Sequence, residues 1–464
     1  MKRILNFLCL VLIAIAVNGQ AKYVFFFIGD GMGVNQVNGT ETYYAAIEGK
    51  NARQPLQFTQ FPAAGMVYTL SNSNPVTDSA AGGTALATGV KTYNSAIGVD
   101  KDKNRIESVA EKAKKAGKRV GVITSVSVDH ATPAAFYAHQ PNRRMYYEIA
   151  TDLPKAGFDF HGGSGFLKPS TTFDKQEAPS IYPILDEAGY TIAKGVSDYK
   201  SKTKTAKKMI LIQEDGKDAS SLPYAIDRKD DDLTLKQITE SAIDFLTKEK
   251  SKGFFLMVEG GKIDWACHSN DPGTAFREVK DMDEAVKVAY NFYKKHPKET
   301  LIVISADHET GGITLGNNHY MMNTKVLQYQ NMSVDMLSQK LDELRKAKNN
   351  KVTWEDMKEF LGEHYGFWKD ITIEWENEKA LRDAFEASFV NNNVNYEESL
   401  YSNNQSMAVA AQKVMNRIAM VNWAHGSHTA GYVPVYAIGA GSEMFNGVLD
   451  NTDIPKNIAK AAKY

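Results

Sequence analysis

The chain has 464 residues, 43% of them hydrophobic and 23% charged, with a formal net charge of −1 at pH 7. That length suits one large domain with insertions, or two domains. A balance so near zero excludes a broad electrostatic footprint for nucleic acid or acidic membranes, so an anionic substrate must be held by local charge or by metal.

The N-terminus reads as a secretory signal. Lys2 and Arg3 precede an apolar run from Leu8 to Val17, followed by Asn18, Gly19 and Gln20. The run is too short for a comfortable membrane span, and no later stretch is long and apolar enough to be one, so no stable membrane anchor is expected. Cleavage near Gly19–Gln20 would make residues 1–19 the signal peptide, with Ala21–Lys22 also open as the cut. Cys9 would leave with it. Cys267 would then be the single cysteine, with no internal disulfide. Export without disulfides points to a bacterial periplasm or exterior.

Strand and helix signals then alternate. Tyr23 to Ile28 is a continuous apolar run ending in Gly29-Asp30-Gly31, as in a buried central strand entering a tight loop. The small residues from Ala80 to Ala87 favour a tightly packed helix with Asp78-Ser79 at its start. Asn104 to Ala116 has helical spacing, with Asn104 and Glu107 resembling a capping box and Gly117 a stop before the strand Arg119 to Thr124. The region from Lys168 to Lys208 is Lys-rich and gives no specific reading. Leu233 to Leu246 and Phe276 to Tyr293 read as helices, each followed by a strand, Phe254 to Val258 and Leu301 to Ser305. Tyr432 to Ile438 is a last strand. These alternations predict an α/β fold with a mostly parallel sheet and its chemistry at the strand C-termini.

Between about Gly316 and Val421 the signals are nearly all helical, and the block reads as an insertion. Val334, Leu337, Leu341 and Leu344 share a face. Thr353 with Asp356 opens a second helix, Leu381 to Phe389 makes a third, and Met407 to Met420 a fourth. The Asn-rich tract from Asn391 to Asn404 reads as loop. A lid or subunit-contact role and plain surface helices are both open for this block.

The motifs that carry chemistry fall at strand ends. Asp30 follows the first strand, Glu259 opens Glu259-Gly260-Gly261-Lys262-Ile263-Asp264-Trp265-Ala266-Cys267-His268, Asp307-His308-Glu309 follows Ala306, and His428 precedes the last strand. Asp264 and His268, four apart, would share one face of a helical turn and could chelate one ion. Carboxylates with imidazoles suit zinc, and an all-oxygen set suits magnesium. Singly, each residue has an ordinary structural reading: Asp30 a loop cap, His308 a packed histidine, Glu259 an ion pair, Ser79 a helix cap. Together they point to a multi-metal site, because several unpaired buried charges converging at one edge are expensive without cations. Cys267 would point away from the Asp264–His268 face. Arg143 could offer planar donors to a phosphate, and Arg144 reads as a solvated face.

These residues resemble the alkaline phosphatase family in the stretches FFFIGDGMG at 25–33, VTDSAAGGTALATGVKTYNSAIGVD at 76–100, HATPAAFYAHQPNRR at 130–144, FFLMVEGGKIDWACH at 254–268, SADHETGG at 305–312 and HGSHTAGYVP at 425–434. The resemblance implies a three-layer α/β/α sandwich over residues 20–464, a crown-like role for the helical insertion, and hydrolysis of small phosphate monoesters. It implies Ser79 as the serine that becomes phosphorylated and Arg143 as the arginine that holds the phosphate. Asp264, His268 and His428 match the ligands of one zinc, and Asp30, Asp307 and His308 those of a second. Asp30, Thr132 and Glu259 match a third site, usually magnesium. The pattern picks out His428 rather than His425. The family is often dimeric, so a homodimer is possible.

Two positions depart from the best-known bacterial pattern. His130 stands where that pattern has an aspartate near the magnesium, and Trp265 where it has a lysine reaching the phosphate. Animal members have histidine at both places, and some bacterial members pair histidine with tryptophan as here. Weaker magnesium binding, faster product release and a strongly alkaline optimum are expected. A related metal-dependent phosphodiesterase or nucleotide pyrophosphatase is the runner-up, although such enzymes usually carry threonine as nucleophile. A sulfatase would need Pro and Arg after the nucleophile, where Ala80-Ala81 stand. A non-catalytic phosphate or metal binder on the same fold would require a lost ligand or nucleophile, and none is lost.

Overall fold

The computed structural model describes residues 20–248, 252–316, 320–391 and 393–464. The signal expected at 1–19 lies outside them. Among the described residues no helix is long and apolar enough to cross a membrane.

Ten strands form the main sheet: β1 (Tyr23–Gly29), β2 (Ala63–Tyr68), β3 (Arg119–Thr124), β4 (Phe160–Gly162), β5 (Tyr190–Lys194), β6 (Lys208–Ile212), β7 (Phe254–Gly260), β8 (Thr300–Ser305), β9 (Val433–Gly439) and β10 (Gly447–Asp450). Their order across the sheet is β10-β2-β9-β8-β1-β7-β3-β4-β6-β5. All pairings are parallel except those of β9, which runs antiparallel to both β2 and β8. The continuous apolar run of β1 follows from its place between β7 and β8, where Phe25, Phe26 and Phe27 are fully buried. One helix group, Val34–Ile47 with Leu235–Thr247 and Pro272–Lys295, packs together, and Ser79–Thr88, Val109–Lys115 and Asp453–Ala462 form another. The result is helices around a mostly parallel sheet, as the alternation predicts.

The direction of β9 matters for the site. Tyr436 pairs with Ile304 and Gly439 with Leu301. The start of β9, just after His428, therefore lies beside the C-terminal end of β8, where Asp307 and His308 follow. A residue ahead of a strand joins the others because that strand is reversed.

Several elements differ from the sequence reading. The helix expected from Asn104 begins at Val109, capped by Ser108 in a capping box with Glu111. Asn104 instead bonds Asp100 within a turn, which uses up the side chain that would have capped. Gly117 does take the left-handed conformation, with φ of 79°. The unread Lys168–Lys208 region supplies a helix (Ile181–Glu187) and β5. The Asn-rich tract is not all loop, since Tyr396–Glu398 pairs antiparallel with Asn403–Gln405 as a hairpin.

The helical block runs Val334–Ala347, Trp354–Tyr365, Trp375–Phe385 continuing to Val390, and Ser406–Ala419. The Thr353–Asp356 capping box is present. Leu337, Leu341, Leu361, Leu381 and Met415 belong to a second hydrophobic core, which reaches Tyr43 and Phe276 of the helices beside the sheet.

Candidate active site

The Ser79–Thr88 helix is buried along its whole length. A Cβ on Gly82 would lie 2.8 Å from the Asp307 carbonyl oxygen, and one on Gly83 would lie 3.2 Å from Thr132 Cα. The glycines thus let the helix press against two site loops. The cap is Asp78 rather than Ser79. Asp78 Oδ1 accepts from the Ala81 and Ser95 amides, each at 3.0 Å, and Oδ2 accepts from Arg143 Nη1 at 3.2 Å. Burial works against its charge, but Arg143 and these amides hold the carboxyl below its usual range. Capping by its neighbour leaves the Ser79 hydroxyl uncommitted at the positive end of the helix, with Oγ 3.2 Å from His308 Nε2.

Around that hydroxyl the strand-end residues gather. Potential ligand atoms lie within 4.8 Å of one another in three groups: Asp30, Asp307 and His308; Asp264, His308 and His428; and Asp30, His130 and Glu259. Asp264 and His268 lie on the short helix Lys262–His268, and His268 Nε2 is 3.2 Å from both Asp264 Oδ2 and His428 Nε2. The other ring nitrogens are fixed by carbonyls: His268 Nδ1 lies 2.7 Å from Gly426 O and His428 Nδ1 2.9 Å from Thr77 O. Thr132 Oγ1 donates to Asp307 Oδ2 at 3.4 Å, and Thr124 Oγ1 donates to Glu259. His130, expected beside the third group, has ring atoms close enough to join it as a donor.

The electrostatics favour cations here. Asp30, Asp264, Asp307 and Glu259 are all fully buried. Neither oxygen of Asp30 accepts a hydrogen bond, nor does Glu259 Oε1, and His130 Nδ1 is unbonded. Asp30 Oδ1 and Asp264 Oδ2 meet only imidazole nitrogens, of His308 and His268, each at 3.2 Å. Burial and the charge of Asp264 push Asp30 well above the usual carboxylate range, burial and Asp30 do the same to Asp307, and burial and Asp307 raise Glu259. Asp264 goes the other way, because its pairing with the His268 imidazole, whose pKa it raises in turn, outweighs its burial. Burial and Arg143 push His130 down to about 3, and burial and His308 push His428 down to about 3, so both rings are neutral and able to ligate. Buried carboxylates that each keep at least one oxygen weakly satisfied, beside the neutral rings of His130 and His428, fit divalent cations.

Beside the candidate metal groups stand Arg143 and Tyr401. Arg143 Nη2 donates to Tyr401 Oη at 2.8 Å and lies 3.4 Å from His130 Nε2. Tyr401 stacks on Trp265 with ring centroids 4.5 Å apart and planes 12° apart. Behind Trp265 the ammonium of Lys262 sits 4.6 Å from its ring and 3.5 Å from that of Tyr224, donating to Ser221 Oγ at 2.9 Å. Sequence reasoning missed Tyr401 and Lys262. Lys262 lay inside a quoted motif, but Tyr401 sat in an Asn-rich tract with no periodicity. Cys267 is buried, with Sγ 3.9 Å from Gln36 Nε2, and Arg144 and His425 are exposed.

A family model described as alkaline phosphatase matches residues 21–163 and 198–464. The chain is 34% identical over 456 residues to alkaline phosphatase 3 of Bacillus subtilis, covering 96% of this chain and 90% of that one. It is 28% identical over 460 residues to the alkaline phosphatase of Schizosaccharomyces pombe, covering 94% and 80%. Among solved structures it resembles the cold-active alkaline phosphatase of a psychrophilic Shewanella sp., at TM-score 0.77 and 28% identity, covering 95% and 99%. It also resembles the alkaline phosphatase of the Antarctic bacterium TAB5, at TM-score 0.66 and 28% identity, covering 96% and 99%. The fold and these relatives define a phosphomonoesterase. The chain belongs to the alkaline phosphatase family.

Proposed function

We propose that the chain is an exported bacterial alkaline phosphatase, periplasmic or secreted, that hydrolyses phosphate monoesters through a phosphoserine at Ser79. In this reading Asp264, His268 and His428 hold one zinc, and Asp30, Asp307 and His308 hold a second. Asp30, Thr132 and Glu259 hold magnesium, with His130 beside it. The carrying observation is the Ser79 hydroxyl, free of capping duty at a helix N-terminus, with Arg143 held nearby by the helix's own cap.

Divalent ions in these positions supply Lewis acidity to the entering and leaving oxygens. Everything else is done by the chain. Arg143 holds the phosphoryl oxygens and offsets the charge that builds on them. Asp78 keeps the guanidinium in place. Ser79 Oγ attacks phosphorus in line, forming one P–O bond as the ester P–O bond breaks, and the alcohol leaves. Water then cleaves the phosphoserine from the opposite side and returns Ser79 with inorganic phosphate.

Recognition centred on the phosphate leaves the alcohol loosely read, so a broad substrate range is proposed. The helical block of about residues 316–421 then acts as a crown over the site, supported by Tyr401 reaching Arg143, and a homodimer is compatible with it. His130 in place of a carboxylate is proposed to weaken the third metal. TAB5 variants with a histidine replaced by glutamate or aspartate are described with Mg bound in the M3 site.

Ser79→Ala is expected to abolish phosphoenzyme formation while zinc content, measured by atomic emission, stays at the wild-type level. Full activity in this variant would refute the mechanism. Rates on a monoester and a diester of the same phenol separate this reading from a diesterase, with the monoester expected to be far faster.

A further inference from the structure

A planar guanidinium offers two forks for a two-point grip on an anion, Nε with Nη2 and Nη1 with Nη2. Both include Nη2. In this structure both Nη2 hydrogens face partners already: Tyr401 Oη accepts at 2.8 Å, and His130 Nε2 lies at 3.4 Å. Arginine cannot accept, so the phenol oxygen takes the bond. A phosphate gripped by either fork must displace one of these partners: His130 is buried, on the backbone that leads into Ala131–Ala134, whereas Tyr401 stands on a hairpin.

The support for Tyr401 is built so that its tip can give way. It stands at the turn of the hairpin formed by Tyr396–Glu398 and Asn403–Gln405, where the Ser399 amide donates to Ser402 O at 2.8 Å. The strands are anchored to the helical block: the Gln405 amide donates to Ser338 Oγ at 2.8 Å, Asn404 Nδ2 to Asp335 at 2.6 Å, and Tyr396 Oη to Asp342 at 3.0 Å. The tip is held by the Trp265 stack, by edge and tilted contacts of the Tyr401 ring with His268 and His130, by Arg143 and by Ser402 Oγ at 3.0 Å from Ser269 Oγ. Leu400, next to Tyr401, is 54% exposed. Cavities of about 550, 500 and 450 Å³ border the hairpin, and the third also touches Asp78, His268 and His428.

We propose that Tyr401 is a phosphate-competing residue: its hydroxyl occupies Arg143 Nη2 in the free enzyme, and incoming phosphate displaces it by swinging the hairpin tip off Trp265. This rests on the reading of Arg143 as the phosphate-holding arginine. Tyr401 thereby lowers the affinity for inorganic phosphate, the product, and speeds its release.

The test uses the metal-loaded full chain with inorganic phosphate as the probe. Tyr401→Phe keeps the ring stacked on Trp265 and removes only the hydroxyl. The inhibition constant for phosphate is expected to fall on the order of tenfold, the loss of one competing charge-assisted hydrogen bond. Hydrogen exchange in wild-type residues 396–405 is expected to rise when phosphate is added. An inhibition constant unchanged or raised in Tyr401→Phe would overturn the proposal, as would protection of the hairpin by phosphate, since Tyr401 would then be gripping phosphate with Arg143. Arg143→Ala separates the two readings. Wild-type phosphate affinity in that variant would overturn the role of Arg143 itself. Weakened affinity there, with no change in Tyr401→Phe, would overturn the competition alone.

Discussion

Asp78 divides its oxygens between a helix cap and Arg143, so one carboxylate positions both the Ser79 helix and the guanidinium, the nucleophile and the clamp of the proposed mechanism. Trp265 packs against both the Tyr401 ring and the Lys262 ammonium, and on the proposed mechanism it puts an uncharged ring where the best-known bacterial pattern has a lysine reaching the phosphate. Trp265→Lys is therefore expected to tighten inhibition by phosphate several-fold and lower turnover, read from steady-state kinetics with added phosphate; unchanged values would refute a release role for this position. Far from the site, His161 on β4 is fully buried with neither ring nitrogen bonded, stacked on Phe158. Burial and Lys208 push its pKa from 6.5 to about 3. Between those values the unfolded chain binds a proton that the folded chain does not. Stability is therefore unaffected by this group at neutral pH and falls as pH drops through that window. His161→Phe is expected to flatten the acid limb of Tm against pH between about 6 and 4, measured by circular dichroism. The residues of the quoted motifs were legible because each motif is one short run at a strand end or a helix start, with its neighbours in sequence also its neighbours in space. Tyr401 was not, because only the folding-over of a hairpin brings it to Arg143.

At the scale of the element, the Ser79–Thr88 helix depends on having almost no side chains where it meets the loops of Asp307 and Thr132. Gly82→Ala forces a methyl against backbone at 2.8 Å. A loss of about 1–3 kcal/mol is expected, and a larger relative loss in kcat/KM, because Ser79 and Asp307 would be pushed apart. A variant that lost stability but kept wild-type kcat/KM would show that this contact does not position the site. Long, strongly patterned elements were legible: β1, β3, β7 and β8 began and ended within two residues of expectation. The unread strands lie toward the two ends of the sheet, β10 and β2 on one side and β4, β6 and β5 on the other. β4 has only three residues, and β2 alternates between buried and exposed positions, which gives little apolar run to detect. The late start of the Val109–Lys115 helix is a competition between Asn104 in a turn and Ser108 as a cap, which local spacing does not resolve.

For the whole molecule, the proposed metal sites would couple folding to metal through the buried carboxylates. Stripping the protein with a chelator at neutral pH is expected to lower Tm by several degrees or more, with recovery on adding zinc and magnesium, followed by calorimetry; an unchanged Tm would mean that the cluster is balanced without cations. A mostly parallel sheet was legible from the alternation of helices and strands, but the reversal of β9 was not, since a strand's direction is set by partners distant in sequence. The same distance has a consequence for how the chain acquires its shape. β1 comes first in sequence yet lies mid-sheet, with Tyr23 paired to Phe254 on one side and Thr300 on the other. The Ala21 amide, just before it, donates to Ala461 near the other end of the chain. A chain emerging from the ribosome has no sheet partner for β1 until β7 is made, more than half-way along. β3, β4, β6 and β5 are one another's neighbours and are all made earlier, so the centre of the sheet closes after this flank can pair.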